Sequence, residues 1–271
     1  MTVLPASAPN MQAPIVGQVK AAQLAARRLF RFKFGVTWVV LVGLLVLLLA
    51  ITGNVNPDFI ASAGPYILQG AGITILVSFT SIVLAVALAL IGALGRLSTN
   101  AFLNGAASLY VSLVRGTPLI VQIFFVYLAL PQLGITLDVL LGGVLALGFN
   151  YGAYMTEIFR AGIQAVPKAQ QEAAQALGIP ARLIMRRIVM PQAVRIVIPA
   201  IGNDFVSMIK DSALIYILGI QELLWRASTL GRRERASLEA LLIAAAIYWV
   251  LTMIFSFFQE RLERRMARGD Q

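Results

Sequence analysis

The chain has 271 residues, 59% of them hydrophobic and only 13% charged, with a mean hydropathy of +0.83 and a net charge of +10. A soluble domain carries roughly 25% charged residues, so this composition places most of the chain in lipid. There is no cysteine, no histidine and no glycine-rich loop ending in Gly-Lys-Ser/Thr, which excludes disulfides, thiolate chemistry, histidine-ligated metals, Ser-His-Asp triads and a phosphate-binding loop of that kind.

Residues 1–26 are rich in Ala, Pro and Gln with one charge, Lys20, and read as an unstructured tail without the pattern of a secretory signal. Arg27, Arg28, Arg31 and Lys33 follow, then a first apolar span over 34–51 without a cleavage motif, read as a retained anchor. Loop 53–65 carries only Asp58. A second span is expected over 69–94 and is followed by Arg96.

The string Arg115-Gly116-Thr117-Pro118 comes next. Thr is a good N-cap and Pro suits a first helical position, so a third span is expected over 117–133. Arg115 then sits at an elbow near the inner interface, read as a snorkelling flank in preference to a substrate role. Loop 131–138 has no base, and a fourth span is expected over 139–158. It exits as FNYGAYMTEIFRAGIQAVP. Asn150 and Tyr154 share a face at i,i+4, and Glu157 and Arg160 at i,i+3 can pair on one helix.

A polar, basic insert follows, reading EAAQALGIPARLIMRRIVMP from Glu172 to Pro191. Ala and Leu favour helix, and Gly178 with Pro180 supplies a stop. The short helix has an apolar stripe of Ala173, Ala176 and Leu177, with Glu172 and Gln175 toward water. By residue type alone it is either a partner-docking helix or an interfacial helix held on lipid by Arg186 and Arg187.

The fifth span, over 193–218, contains PAIGNDFVSMIKDSALIYIL. Asp204, Ser207 and Asp211 fall at i, i+3, i+7, and Asn203, Ser207 and Lys210 form the adjacent stripe. A charge near the bilayer centre costs about 3 kcal/mol, so these residues face protein or water. They either neutralise one another inside the bundle or line a solute pathway. Arg226, Arg232, Arg233 and Arg235 precede a sixth span over 238–258, and Arg261, Arg264, Arg265 and Arg268 end the chain.

The basic clusters place both termini and the Glu172 insert in the cytoplasm. Loop 224–237 is the exception, because it is basic on the expected outer side. A five-span arrangement would bring it inside by merging or dropping a span.

The spacing Glu-Ala-Ala, three residues, Gly178, nine residues, Ile188, one residue, Met190, Pro191 resembles the cytoplasmic loop of ABC-importer permeases that docks on the ATPase subunit. Met190 stands where the family pattern has Leu. The strings RGTPLIVQIFF, YMTEIFRAGIQAVPKAQQEAAQALG and MPQAVRIVIPAIGNDFVSMIKDSALI extend the resemblance from about Tyr66 to Arg265, toward the polar amino-acid subfamily.

That resemblance implies an all-α membrane protein of about six transmembrane helices, a permease-type bundle with a cytoplasmic coupling helix, in the plasma (inner) membrane. Its parts are a cytoplasmic tail (1–33), an extra N-terminal helix and outer loop (34–65), the permease domain (66–265) and a C-terminal tail (266–271). Many members have five spans, so the N-terminal helix is an addition.

The implied partners are two ATP-binding subunits, a second permease subunit, an extracytoplasmic solute-binding protein, a polar amino acid and the lipid bilayer, with no nucleic acid. ATP hydrolysis falls to another subunit and no cofactor is expected in this chain. The implied ATPase-docking residues are Glu172, Ala173, Ala174 and Gly178. Asn150, Tyr154, Asn203, Asp204, Ser207, Lys210 and Asp211 are the candidate substrate pathway. The competing functions are an ATP-independent transporter or channel and an intramembrane enzyme built on Ser207 and Lys210.

Overall fold

The computed structural model describes residues 12–52 and 56–267. The chain divides into two units, residues 1–55 and 56–271. The first contains one helix, α1 (Gln12–Thr52). It starts well before the basic cluster, so residues 12–26, expected as tail, are helical. Residues 1–11 and 268–271, parts of the two expected tails, lie outside the described residues.

The second unit opens with α2 (Pro57–Leu68), whose N-terminus is capped by Asn56. The Asn56 side chain accepts hydrogen bonds from the Asp58 and Phe59 amides at 3.0 and 3.2 Å. Much of the expected outer loop is thus helix. α2 runs through Gln69 almost directly into α3 (Gly70–Leu97).

α3 packs along α7 (Val139–Gln164) as the central pair of the bundle. The contact is made by small residues, including Ser78, Ala85, Ala89 and Gly92 on α3 and Ala146, Gly152, Ala153 and Thr156 on α7. Small residues let two backbones approach closely where lipid offers no hydrophobic drive to associate. The closeness is measurable at Gly148, where an added Cβ would lie 2.6 Å from Leu84.

The third span departs from expectation. α4 (Ala101–Arg115), capped by Asn100, forms its first half, and α5 (Leu119–Phe124) leaves it at 103°. α5 continues through a wide π turn at Phe125–Ala129 into α6 (Leu130–Gln132). Thr117 does not cap α5. Its hydroxyl donates to the carbonyls of Leu113 (3.0 Å) and Val114 (3.5 Å), and Pro118 takes the N-cap position.

α7 leads into α8 (Lys168–Ala176) and the one-turn α9 (Ala181–Ile184), which runs through a second π turn at Met185–Val189 into α10 (Met190–Asp211). α10 tightens into a 3-10 stretch, Ser212–Leu218, that ends at Gly219 in the left-handed region (φ +84°). α11 (Leu223–Arg233) and α12 (Ser237–Ala267) complete the chain.

Among the described residues, three helical stretches are long and apolar enough to cross a membrane, namely 57–97, 139–164 and 237–266, with the bent α4–α5 pair as a fourth. α10 has the length, but Arg195, Asp204, Lys210 and Asp211 lower its hydropathy.

The basic stretch 226–235 is largely the 11-residue α11, too short to span about 30 Å at 1.5 Å per residue. It packs on α2 and α12 at the end of the bundle opposite α8, and α10 and α12 remain separate helices, so the five-span merger is not found. Glu222 caps α11 through the Leu224 and Trp225 amides and accepts from the Tyr248 hydroxyl at 2.5 Å. Burial pushes its carboxyl above the usual carboxylate range, against the pull of those three hydrogen bonds.

Candidate functional sites: a docking helix and an open polar face

α8 is a short exposed helix fixed on one side. Ala174 is 4% exposed and packs with Val166, Ile184, Val189 and Ala193. It therefore positions the helix and does not offer itself to a partner, unlike its expected docking role. Glu172, Ala173, Ala176 and Leu177 point outward, and Leu177 is 80% exposed.

The helix ends in a Schellman turn. The Ile179 amide donates to the Ala174 carbonyl (3.1 Å) and the Gly178 amide to the Gln175 carbonyl (2.9 Å), with Gly178 at φ +74°. Gly178 supplies the left-handed residue that this turn requires. The Gln192 side chain of α10 donates to Gln170 of α8 at 2.7 Å, so α8 is tied directly to α10. A groove of about 650 Å³ separates α8 from the end of α3, lined by Leu97, Gln164, Lys168 and Glu172 among others.

Near the same end, Glu157 pairs with Arg160 at 2.7 Å, as its spacing indicated. It also accepts from Arg96 of α3 at 3.1 Å, a partner 61 residues away that no local pattern signals. Arg96 donates to Ser108 of α4 as well, so its guanidinium joins α3, α4 and α7.

The polar residues of α10 separate into two sets. Asn203 and Lys210, seven residues apart, are exposed on one face. Asp204, Ser207 and Asp211 are half-buried. Asp211 accepts a hydrogen bond from the Tyr151 hydroxyl of α7 at 2.7 Å. One carboxylate oxygen of Asp204 is buried with no hydrogen-bond partner. Among the described residues no ion pair joins Lys210 to Asp204 or Asp211, so Lys210 does not neutralise either carboxylate. No hydrogen bond joins Ser207 to Lys210 either, which leaves the Ser-Lys dyad unassembled.

Asn150 is buried and braces the α4–α5 elbow. Its amide donates to Gln122 at 3.2 Å. The Gln122 amide in turn donates to the Val114 carbonyl and to the carbonyl and hydroxyl of Thr117, at 2.8, 3.1 and 2.9 Å. Asn150 therefore does not line an open surface. Tyr154, 42% exposed, does.

Above the Tyr154 ring, 5.1 Å from its centroid, lies the guanidinium of Arg115. Arg115 ends a 15-residue helix, about 22 Å from its start, and Tyr154 is ten residues, or about 15 Å, from the end of α7. The pair sits at the α4–α5 elbow, a helix length away from the α3–α4 turn. It is exposed and has no acidic partner among the described residues. The sequence placed the elbow and the new helix after it, but the stacking of Arg115 on Tyr154 joins residues 39 positions apart and has no local signal.

Comparison with known proteins follows the same lines. Residues 81–268 match the family described as binding-protein-dependent transport system inner membrane component. The arginine transport system permease protein ArtQ of Bacillus subtilis (strain 168) is 38% identical over 218 residues, covering 79% of this chain and all of the relative. The L-cystine transport system permease protein TcyB of the same organism is 38% identical over 205 residues, covering 75% and 88%. A crystal structure of an amino acid ABC transporter with histidines superposes with a TM-score of 0.75 at 36% identity, covering 78% of this chain and 99% of that one. The chain belongs to the family of inner-membrane permease components of binding-protein-dependent ABC transport systems.

Proposed function

We propose that this chain is the membrane-spanning subunit of an ATP-driven importer for a polar amino acid, working with a second permease subunit, two ATPase subunits on its cytoplasmic face and a solute-binding protein outside. Both termini lie in the cytoplasm of a cell with this chain in its inner membrane. The supporting observation is the open polar face of α10 with the Arg115–Tyr154 pair. Unpaired charges inside a span are costly against lipid, so this face belongs against a partner subunit or an aqueous solute path.

The chemistry suits a zwitterion. Arg115 and Lys210, both exposed, offer cations to a carboxylate; the unpartnered oxygen of Asp204 is buried, so an ammonium reaches it only when the bundle opens. Desolvating either end of an amino acid without such partners is unfavourable. The drive enters at α8, where Leu177, Ala176 and Ala173 seat in a groove of the ATPase. Movement of α8 passes through Gln170–Gln192 and the Ala174 cluster into α10, the helix that carries the polar face.

Relatives carrying different amino acids share this bundle, and the names of two specify arginine and L-cystine. The test is uptake of amino acids and their α-carboxamide analogues by the assembled transporter, wild type and Arg115→Gln. The wild type should reject the carboxamide. The variant should lose uptake of the free acid roughly 10- to 100-fold, the worth of a charge-assisted hydrogen bond, and should discriminate no longer. Unchanged discrimination in Arg115→Gln removes Arg115 from the pathway. Failure of the wild type to take up any amino acid removes the reading itself.

A further inference from the structure

The arginines at 226–235 sit at the end of the bundle opposite α8, where the positive-inside tendency disfavours them. Arg226 is engaged in the fold. It donates to the carbonyls of Gln221 (3.0 Å) and Tyr66 (3.3 Å) and to the Gln69 side chain (3.2 Å), and it stacks 4.9 Å from the Tyr66 ring centroid.

The other three are not. Arg232, Arg233 and Arg235 are exposed, and only Arg233 has an ionic partner, its neighbour Glu234 at 3.4 Å, with the Arg233 side chain 80% exposed. Such a pair is screened by water, and Arg232 and Arg235 have no ionic partner among the described residues, although Asp58 and Glu239 begin α2 and α12 at the same end.

Arg235 carries a second signal. α11 ends in the same turn as α8, with the Ala236 amide donating to the Gly231 carbonyl at 2.9 Å. In α8 the left-handed position of that turn is Gly178; in α11 it is Arg235, at φ +57°, the one non-glycine residue with positive φ among the described residues. A backbone held in a disfavoured region points to a use for the side chain it displays.

The third observation is placement. The apolar stretch of α12 begins at Leu238, three residues beyond Arg235, so the guanidiniums lie at headgroup depth. Beside them an open groove of about 450 Å³ runs between α2 and α11, with Phe59, Ala63, Tyr66 and Leu230 along it and the Arg233–Glu234 pair at its edge.

We propose that this corner is a binding site for an anionic phospholipid of the outer leaflet. Its phosphate meets Arg232, Arg233 and Arg235, and an acyl chain lies along the α2–α11 groove. The site clamps α2, α11 and the entry of α12 together on the solute-receiving side. It rests on the orientation proposed above, but its ligand is independent of the transported solute. Charge complementarity argues for an anion, and the entry of α12 into lipid beside the guanidiniums argues that the anion is a headgroup and not a protein surface.

The test uses the full-length chain purified in detergent, loaded with equal amounts of phosphatidylglycerol and phosphatidylcholine, with retained lipid counted by native mass spectrometry. The wild type should retain phosphatidylglycerol preferentially. That preference should fall roughly fivefold for each guanidinium removed and vanish in the Arg232→Gln, Arg233→Gln, Arg235→Gly triple variant. Arg235→Gly alone is the control for folding. It relieves the left-handed position, so its thermal midpoint in neutral detergent should stay or rise while its lipid preference drops. A wild type without preference, or a triple variant that keeps it, overturns the proposal. So does a triple variant whose lipid preference is intact while its response to the solute-binding protein is lost, which would assign the corner to protein docking.

Discussion

At the scale of single residues, the bundle depends on contacts that tolerate no extra atom. An added Cβ at Gly92 would overlap the Thr156 hydroxyl and lie 2.9 Å from its methyl group. Thr156 is fully buried, and its hydroxyl is tied to the Gly152 carbonyl at 2.8 Å, so it cannot swing clear. Gly92→Ala should therefore destabilise the chain by about 1–3 kcal/mol, seen as a lower thermal midpoint in detergent. Adding Thr156→Ala should recover most of the loss, because the obstructing atoms are gone. The sequence marks Gly92 as one more small residue in an apolar helix. Its tightness follows from a partner 64 positions away, which local pattern does not specify. The Glu157–Arg160 pair was legible because both partners lie on one turn, whereas Arg96, the second cation on the same carboxylate, was not.

At the scale of elements, α8 was readable whole, whereas the α4–α5 elbow was readable in position, at Arg115, but not in its 103° bend, for physical reasons. The end of α8 is encoded locally, since a left-handed glycine with Pro180 two positions on suffices to stop a helix there. The elbow is encoded by a side chain from elsewhere in the chain. Gln122 reaches back to Val114 and Thr117 and forward to Asn150, and this set holds a 103° break inside an apolar stretch. Gln122→Leu should cost about 1–3 kcal/mol, because it leaves buried carbonyls and the Asn150 amide without partners. It should also raise hydrogen exchange across residues 113–122 well above that in α7, and unchanged exchange there would mean that the break is held by something else. Loop 224–237 proved to be mostly helix. Its polar residues lack the apolar length of a span, so hydropathy assigned it to a connection.

At the scale of the whole molecule, under the proposed function, the parts form a chain of transmission. α8 presents an apolar patch outward, rests on a buried alanine, and is tied to the first turn of α10. The far half of α10 carries the charges that cannot face lipid. The opposite end of the bundle is fastened by α2, α11 and the buried Glu222. The long apolar helices 57–97, 139–164 and 237–266 and the short helix of the Glu172 insert were legible in the sequence because both are local patterns. The separation of the polar stripe into an exposed and a half-buried set depends on how α10 is rotated against α7, which spacing alone leaves open.

The central claim is that force enters at α8 and solute crosses at α10. It is tested most directly by ATP-driven uptake of labelled amino acids by the assembled transporter carrying Leu177→Asp. Leu177 is exposed and contributes nothing to the core, so the fold and its thermal midpoint should be unchanged. A charge in the centre of a docking patch removes about 2 kcal/mol or more of binding, so ATPase co-purification and uptake should both fall by more than tenfold. A Leu177→Asp transporter that retains its ATPase subunits and imports solute at the wild-type rate would contradict the account.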